Sequence, residues 1–137
     1  MWQSDHEGHL VQETLILSGR ADTSMRFIII VCAYNVGAFI EECLRSIQVQ
    51  TVQDWRCVVM DDCSMDDTAT VAEGLAAADR RILVVRNTTK RFLLGNTAAA
   101  IELAQPEPQD VVISLDGDDW LNHARVLERL EEAYRQQ

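Results

Sequence analysis

Four short apolar runs recur along the chain, and between them the apolar residues change to helical spacing. Phe27 to Ala33 is a continuous β-branched run, as expected for a strand buried on both faces of a parallel sheet. From Ala38 to Val49, Phe39, Ile40, Cys43, Leu44 and Ile47 recur at three- and four-residue steps, which predicts an amphipathic helix. Trp55 to Met60 predicts a second buried strand. Ser64 followed by Asp67 reads as an acidic variant of a capping box, opening a helix through Val71, Leu75 and Ala78. Arg81 to Arg86 predicts a third strand, and a polar loop over Asn87 to Arg91 leads into an Ala-rich helix over Leu93 to Ala104. Pro106 and Pro108 end that helix, because proline cannot continue the hydrogen-bond ladder. Val111 to Leu115 predicts the fourth strand, and Asn122 can cap a last helix carrying Val126, Leu127, Leu130 and Ala133.

The order is βαβαβαβα. Strands alternating with helices imply a mainly parallel sheet, right-handed crossovers and helices on both faces. The expected fold is α/β, a Rossmann-like three-layer α/β/α sandwich. Residues 1–24 show weak periodicity and read as a weakly ordered N-terminal arm with one short strand or helical turn. Residues 25–137 form the domain.

Composition adds constraints. The 137 residues suffice for one domain with a real core, and a net charge of −10 argues against nucleic acid, which is held through Lys and Arg on phosphate. An acidic protein that handles phosphorylated ligands needs a cation to screen the repulsion. Cys32, Cys43, Cys57 and Cys63 form no C-x-x-C pair, and three of them sit in or beside apolar runs, where cysteine behaves as a small buried hydrophobe. No signal-peptide pattern and no transmembrane segment stand out, so the expectation is a cytoplasmic protein in a reducing compartment.

The chemistry gathers at strand ends, where open parallel sheets bind their ligands. Tyr34-Asn35 follows strand one, Asp61-Asp62 strand two, Asn87 strand three and Asp116-Gly117-Asp118-Asp119 strand four. Three carboxylates within four residues repel one another. A hard divalent cation, Mg²⁺ or Mn²⁺, carrying a phosphate ligand would remove that cost. A solvated acidic turn capping the next helix is the plainer reading, and the second acidic pair in the same setting argues against it. Other chemistries fit poorly. Strand one lacks Gly-x-Gly-x-x-Gly, no Walker loop is present, and Ser64 has no Gly-x-Ser-x-Gly setting. His6, His9 and His123 have no metal-ligand or triad spacing and read as surface residues. A haloacid-type phosphatase needs its paired Asp after strand one, and a calcium loop needs ligands alternating over twelve residues.

On these residues the chain resembles a known family. Residues 26–136 are similar to the nucleotide-binding half of the GT-A fold glycosyltransferases, specifically the inverting family 2. Ile29 to Asn35 resembles its opening strand, and Ile40 to Ile47 with Gln50-Thr51 its first helix and Gln-Thr turn. Val58 to Thr68 matches its Asp-Asp-x-Ser-x-Asp-x-Thr element, and Leu115 to Leu121 its Asp-X-Asp motif with the following Trp. The resemblance implies a metal-dependent transferase binding a nucleoside-diphosphate sugar, a UDP-sugar, for inverting transfer to an acceptor hydroxyl. It assigns nucleotide-sugar binding to Ala33, Tyr34, Asn35, Asp61, Asp62, Asn96, Asp116 and Gly117. Asp61 or Asp62 would accept the imide of a uracil-type base or orient the ribose. It assigns Mn²⁺ or Mg²⁺ to Asp118 directly, with Asp116 holding the ribose or the metal's water shell, and gives Asp119 a role in the turn or as a cap. The ion would serve as a Lewis acid on the departing diphosphate.

Several positions depart from the pattern. Cys32 replaces a common proline. Gly95-Asn96 stands where an Arg-Asn pair is usual, and Lys90 and Arg91 are candidates for the missing positive charge. Family members continue past the metal turn into the acceptor site and its Asp or Glu base, so no catalytic residue is nominated here. The domain is expected to be incomplete at its C-terminus: a fragment, half of a two-chain enzyme, or a stand-alone donor-binding module. A non-catalytic donor-binding or homodimerising module and a nucleotidyltransferase are the alternative functions.

Overall fold

The computed structural model describes residues 2–4, 10–12 and 24–137. Two short strands, β1 (Trp2–Ser4) and β2 (Leu10–Gln12), pair antiparallel with Trp2 opposite Gln12. The arm therefore carries a two-strand ladder where one short strand or helical turn is expected; its other residues, His6 and His9 included, lie outside the described set. The domain follows as β3 (Phe27–Ala33), α1 (Ile40–Gln48), β4 (Trp55–Asp61), α2 (Thr68–Ala78), β5 (Ile82–Arg86), α3 (Phe92–Ala104), β6 (Val111–Asp116) and α4 (Val126–Arg135).

The four long strands form one wholly parallel sheet in the order β5-β4-β3-β6. Chain order and space order differ because β3 sits centrally and the chain leaves it in both directions, and that switch opens a crevice above the carboxyl ends. The residues of β3 alternate between two cores. Phe27, Ile29, Val31 and Ala33 pack against Ile40, Cys43, Leu44 and Ile47 of α1, Ala72 of α2 and Leu127 of α4. Ile28 and Ile30 pack with Val58, Met60, Ala100 and Ala104 on the α3 side. Both faces of β3 are thus dry, which explains its unbroken apolar run; each large side chain buried there stabilises the fold by roughly 1.5–3 kcal/mol. The strand β6 differs. It is an edge strand, its accessible positions alternate, and Val112 is 39% exposed.

Element boundaries shift where local chemistry is overruled. The first helix starts at Ile40 and leaves Phe39 half exposed at its N-cap. Ser64 does not cap α2: its hydroxyl accepts the Asn35 N–H, and Asp66 takes the Thr68 N–H instead. Asn122 does not cap α4, which begins at Val126, and Ala133 lies on its exposed side. Gln50, 1% exposed, makes that junction: its amide donates to the Ser46 and His123 carbonyls and its oxygen accepts from Leu127 N.

Candidate functional site

The carboxyl ends of all four parallel strands form one rim, and register fixes what lies beside what. Ala33 is level with Asp61 on one side of β3, and Cys32 with Asp116 on the other. Asp61 and Asp116 are separated by two strand spacings, about 10 Å. Residues paired across a parallel sheet share a face, so Asp61 belongs with Ala33 on the α1–α2 side and Asp116 with Cys32 on the α3 side. The next residue after β4, Asp62, returns to the α3 side. Burial raises the Cys32 thiol's pKa, the Thr97 contact opposes the rise, and the Asp116 and Asp62 carboxylates both add to it.

Asp62 is the organiser of this side. Its Oδ1 accepts the Arg91 N–H at 2.7 Å and the Asn87 amide at 3.0 Å, and its Oδ2 accepts the Phe92 N–H at 2.9 Å. These main-chain donors are the first of α3, which has no cap from its own N-cap residue, so a carboxylate from the end of β4 supplies one. Burial alone would raise the Asp62 pKa; the donors from Arg91, Asn87, Phe92 and Asn96 outweigh it and hold the group below the usual carboxylate range. Asn96, 1% exposed, accepts the second proton of the Asn87 amide at 2.6 Å. A carboxylate has about four lone-pair sites, and Oδ2 uses one of its own, so it can accept a further donor from above. Asp61 is different: it is 3% exposed, its Oδ1 meets no donor among the described residues, and Arg86 across from it grips Glu73 of α2 at 2.6 and 2.8 Å.

Tyr34 and Asn35 cross the top of β3. Asn35 takes φ 50, its N–H donates to Ser64 Oγ, and its Oδ1 accepts from Met65 N. Val36 N donates to Thr68 Oγ1 and Gly37 N to Asp66 Oδ2, so the loops after β3 and β4 are stitched together. Ala33 contributes backbone, its carbonyl accepting the Asp62 N–H. Tyr34 stays half exposed, with the Lys90 ammonium 3.2 Å from its ring centroid. Left-handed non-glycine residues gather here: Asn35, Cys63 at φ 65 and Phe92 at φ 60 each follow a different strand of the rim. Such conformations cost about 1–3 kcal/mol each and concentrate at ligand sites.

The acidic turn after β6 brings Asp116, Asp118 and Asp119 together. One oxygen of each lies within 4.8 Å of the others, and all three residues are exposed. Asp119 thus joins the two acids singled out from sequence, and it caps no helix, since α4 starts seven residues later. Gly117 is buried beneath: a Cβ there would sit 2.9 Å from Val36 Cγ2 and 3.3 Å from the Cys32 carbonyl oxygen. The turn is held by Gly117 N to the Cys32 carbonyl and Asp119 N to the Asp116 carbonyl. Its field reaches α1. Burial first, then Asp119, Asp118 and Asp116, push the Cys43 thiol up to about 12, and its Sγ donates to the Asp116 carbonyl. Three oxygen ligands of this kind fit a hard divalent cation, which prefers carboxylates and shares its remaining positions with water and phosphate. A groove of about 610 Å³ opens beside the turn, between α1 and residues 120–124; Glu41, Glu42, Arg45, Trp120 and His123 line it, and the Asp61–Asp62 corner does not.

Sequence had pointed to the strand ends, and the structure gathers Tyr34, Asn35, Asp62, Asn96 and Asp116 to Asp118 on that rim while turning Asp61 to the α2 side. The Lys90–Tyr34 contact and the capping of α3 by Asp62 were not legible, because both join residues of different loops.

The model of the family described as "Glycosyl transferase family 2" matches residues 28–137. The chain is 33% identical over 110 residues to the uncharacterized glycosyltransferase EpsJ of Bacillus subtilis, covering 80% of this chain and 30% of that one. It is 35% identical over 94 residues to the GalNAc(5)-diNAcBac-PP-undecaprenol beta-1,3-glucosyltransferase of Campylobacter jejuni, covering 68% and 29%. Among solved structures it superposes on S. aureus TarS 1–349 in complex with UDP-GlcNAc with a TM-score of 0.71 and 27% identity, covering 82% of this chain and 32% of that one. The mannosyltransferase PcManGT of Pyrobaculum calidifontis, in complex with GDP-Man and Mn²⁺, gives 0.61 and 26%, covering 77% and 32%. The chain spans about a third of the length of these proteins.

Proposed function

The chain belongs to glycosyltransferase family 2, has that family's GT-A fold, and we propose that it is the donor-binding portion of a metal-dependent, inverting transferase using a nucleoside-diphosphate sugar. The observation that supports this reading most is the convergence of the three turn carboxylates, within 4.8 Å, on the rim where Asp62 and Tyr34 also lie. In this reading Tyr34 and Asn35 line the base subsite, and the spare acceptor site of Asp62 Oδ2 receives the imide N–H of a uracil-type base. Asp62 is preferred to Asp61 because it shares the α3 side with Asp116: it accepts the Arg91 and Phe92 amides at the start of α3, and Asp116 is level with Cys32 on that face. Asn87 and Asn96 hold that carboxylate in place; Ala33 and Gly117 let the backbone approach closely.

Asp118 and Asp116, with Asp119, would hold Mn²⁺ or Mg²⁺, which supplies Lewis-acid stabilisation of the charge on the leaving diphosphate when bound. The chain's own contribution is to orient the donor and to keep its diphosphate against the turn. The acceptor and the base that deprotonates it lie outside the residues this reading assigns. Free cysteines and a fold with no helix long and apolar enough to cross a membrane, among the described residues, are compatible with a cytoplasmic setting.

Calorimetry of UDP with Mn²⁺ tests the reading. Asp118→Ala is expected to weaken metal-dependent binding about tenfold or more while leaving the fold intact, its side chain being exposed. Wild-type affinity in that variant would end the metal assignment. A second reading, a module that pairs with another chain, is favoured by one observation: β6 is an edge strand with Val112 39% exposed. Light scattering that shows only monomer at high concentration would remove it as a homodimer.

A further inference from the structure

We propose that Lys90 is the cation that meets the donor's diphosphate, leaving the Tyr34 ring when the nucleotide arrives. The inference rests on the donor-site reading above and adds a recognition residue to it. The rim carries Asp61, Asp62, Asp116, Asp118 and Asp119 on a chain of net charge −10, so a polyphosphate approaches against a strong negative field. Positive charge on this rim is scarce. Arg86 is held by both carboxylate oxygens of Glu73 and is turned toward α2. Arg91 is the N-cap residue of α3, and Lys90 beside it is the cation that the structure sets on the Tyr34 ring. Its ammonium makes no ion pair among the described residues; it rests 3.2 Å from the Tyr34 centroid and 5.8 Å from that of Phe92.

The placement suits a group that swings. The backbone on its C-terminal side is fixed, with the amides of Arg91 and Phe92 both donating to Asp62 and Phe92 held at φ 60. The side chain above that anchor is an exposed four-carbon stem, and its charge sits on the ring face of the residue that lines the base subsite. A cation over an exposed aromatic ring is a weak contact, whereas an ammonium on a phosphate oxygen is a charge-assisted hydrogen bond. Lys90 exchanges the first for the second when the donor binds, which also bares the Tyr34 ring for the base.

Titrating the full chain with UDP and with uridine, each with and without Mn²⁺, separates the phosphate from the base. Lys90→Met keeps a stem over Tyr34 and removes the charge; it is expected to weaken UDP binding about tenfold, to leave uridine within about twofold of wild type, and to flatten the salt dependence for UDP. Lys90→Arg should restore most of the UDP affinity. Arg80→Met removes the same charge at the opposite end of the sheet, before β5, and should leave both ligands unaffected. Equal losses for UDP and uridine in Lys90→Met, or unchanged UDP binding, would overturn the role of Lys90 and leave the donor site standing. A wild-type chain that binds neither ligand would overturn both.

Discussion

Removing the Asp62 carboxylate deprives three donors of their partner at one stroke: the amides of Arg91 and Phe92 and the side chain of Asn87. Asp62→Ala is therefore expected to cost roughly 2–3 kcal/mol in chemical denaturation, since three part-buried hydrogen bonds to a charged acceptor are lost together. Hydrogen exchange should show the amides at the start of α3 opening first. Gly117 makes a second residue-level case. With a Cβ at 2.9 Å from Val36 Cγ2 and 3.2 Å from Ala33 Cβ, Gly117→Ala must push the acidic turn outward, at a cost of about 1–3 kcal/mol. Weaker metal-dependent nucleotide binding should accompany that loss, and an unchanged denaturation midpoint would contradict the close approach. Both residues were visible in sequence as members of motifs. Their reasons were not, because each acts through an atom from another loop.

At the scale of elements, the α2–β5 connection is secured by charge. The Arg81 guanidinium lies 3.8 Å from the Trp55 ring centroid and donates to both oxygens of Asp79, which also accepts from Gln48 on α1. The Arg81 hydrogen bonds come first among the causes that hold the Asp79 pKa down to about 2, against the opposing effect of burial. A carboxylate depressed in the folded state contributes stability above its unfolded pKa, near 3.8, and loses it as pH falls through the folded value. Acid unfolding is thus expected to lose up to about 2 kcal/mol from this group between roughly pH 4 and pH 2. Asp79→Asn should flatten that part of the profile, and a profile identical to wild type would contradict the pairing. Helix boundaries show the same dependence on partners. The apolar spacing located α1 to α4, but Ser64 and Asn122, both good caps by local chemistry, are not caps here. Ser64 is engaged by Asn35, and Gln50 sets the start of α4 from 77 positions away.

Across the whole molecule, four parallel strands in the order β5-β4-β3-β6 place every polar strand end on one rim, Asp61, Asp62, Asp116, Asp118 and Asp119 among them. Wild-type nucleotide affinity is accordingly expected to rise with Mn²⁺ and to fall when EDTA strips it, with thermal stability following the same order by linkage. A melting temperature indifferent to Mn²⁺ plus UDP would count against a shared site. The order of elements, the two-sided burial of β3 and the presence of acidic turns after β4 and β6 were determined by the sequence itself, since apolar periodicity and residue type are local properties of the chain. Which acid of the Asp61–Asp62 pair faces Asp116 was decided only by the tertiary structure. Side chains alternate along a strand, so one step of register sends neighbouring carboxylates to opposite faces of the sheet. The same holds for Lys90 on Tyr34: that distance is set by how separate loops meet above the sheet, and no spacing along the chain encodes it.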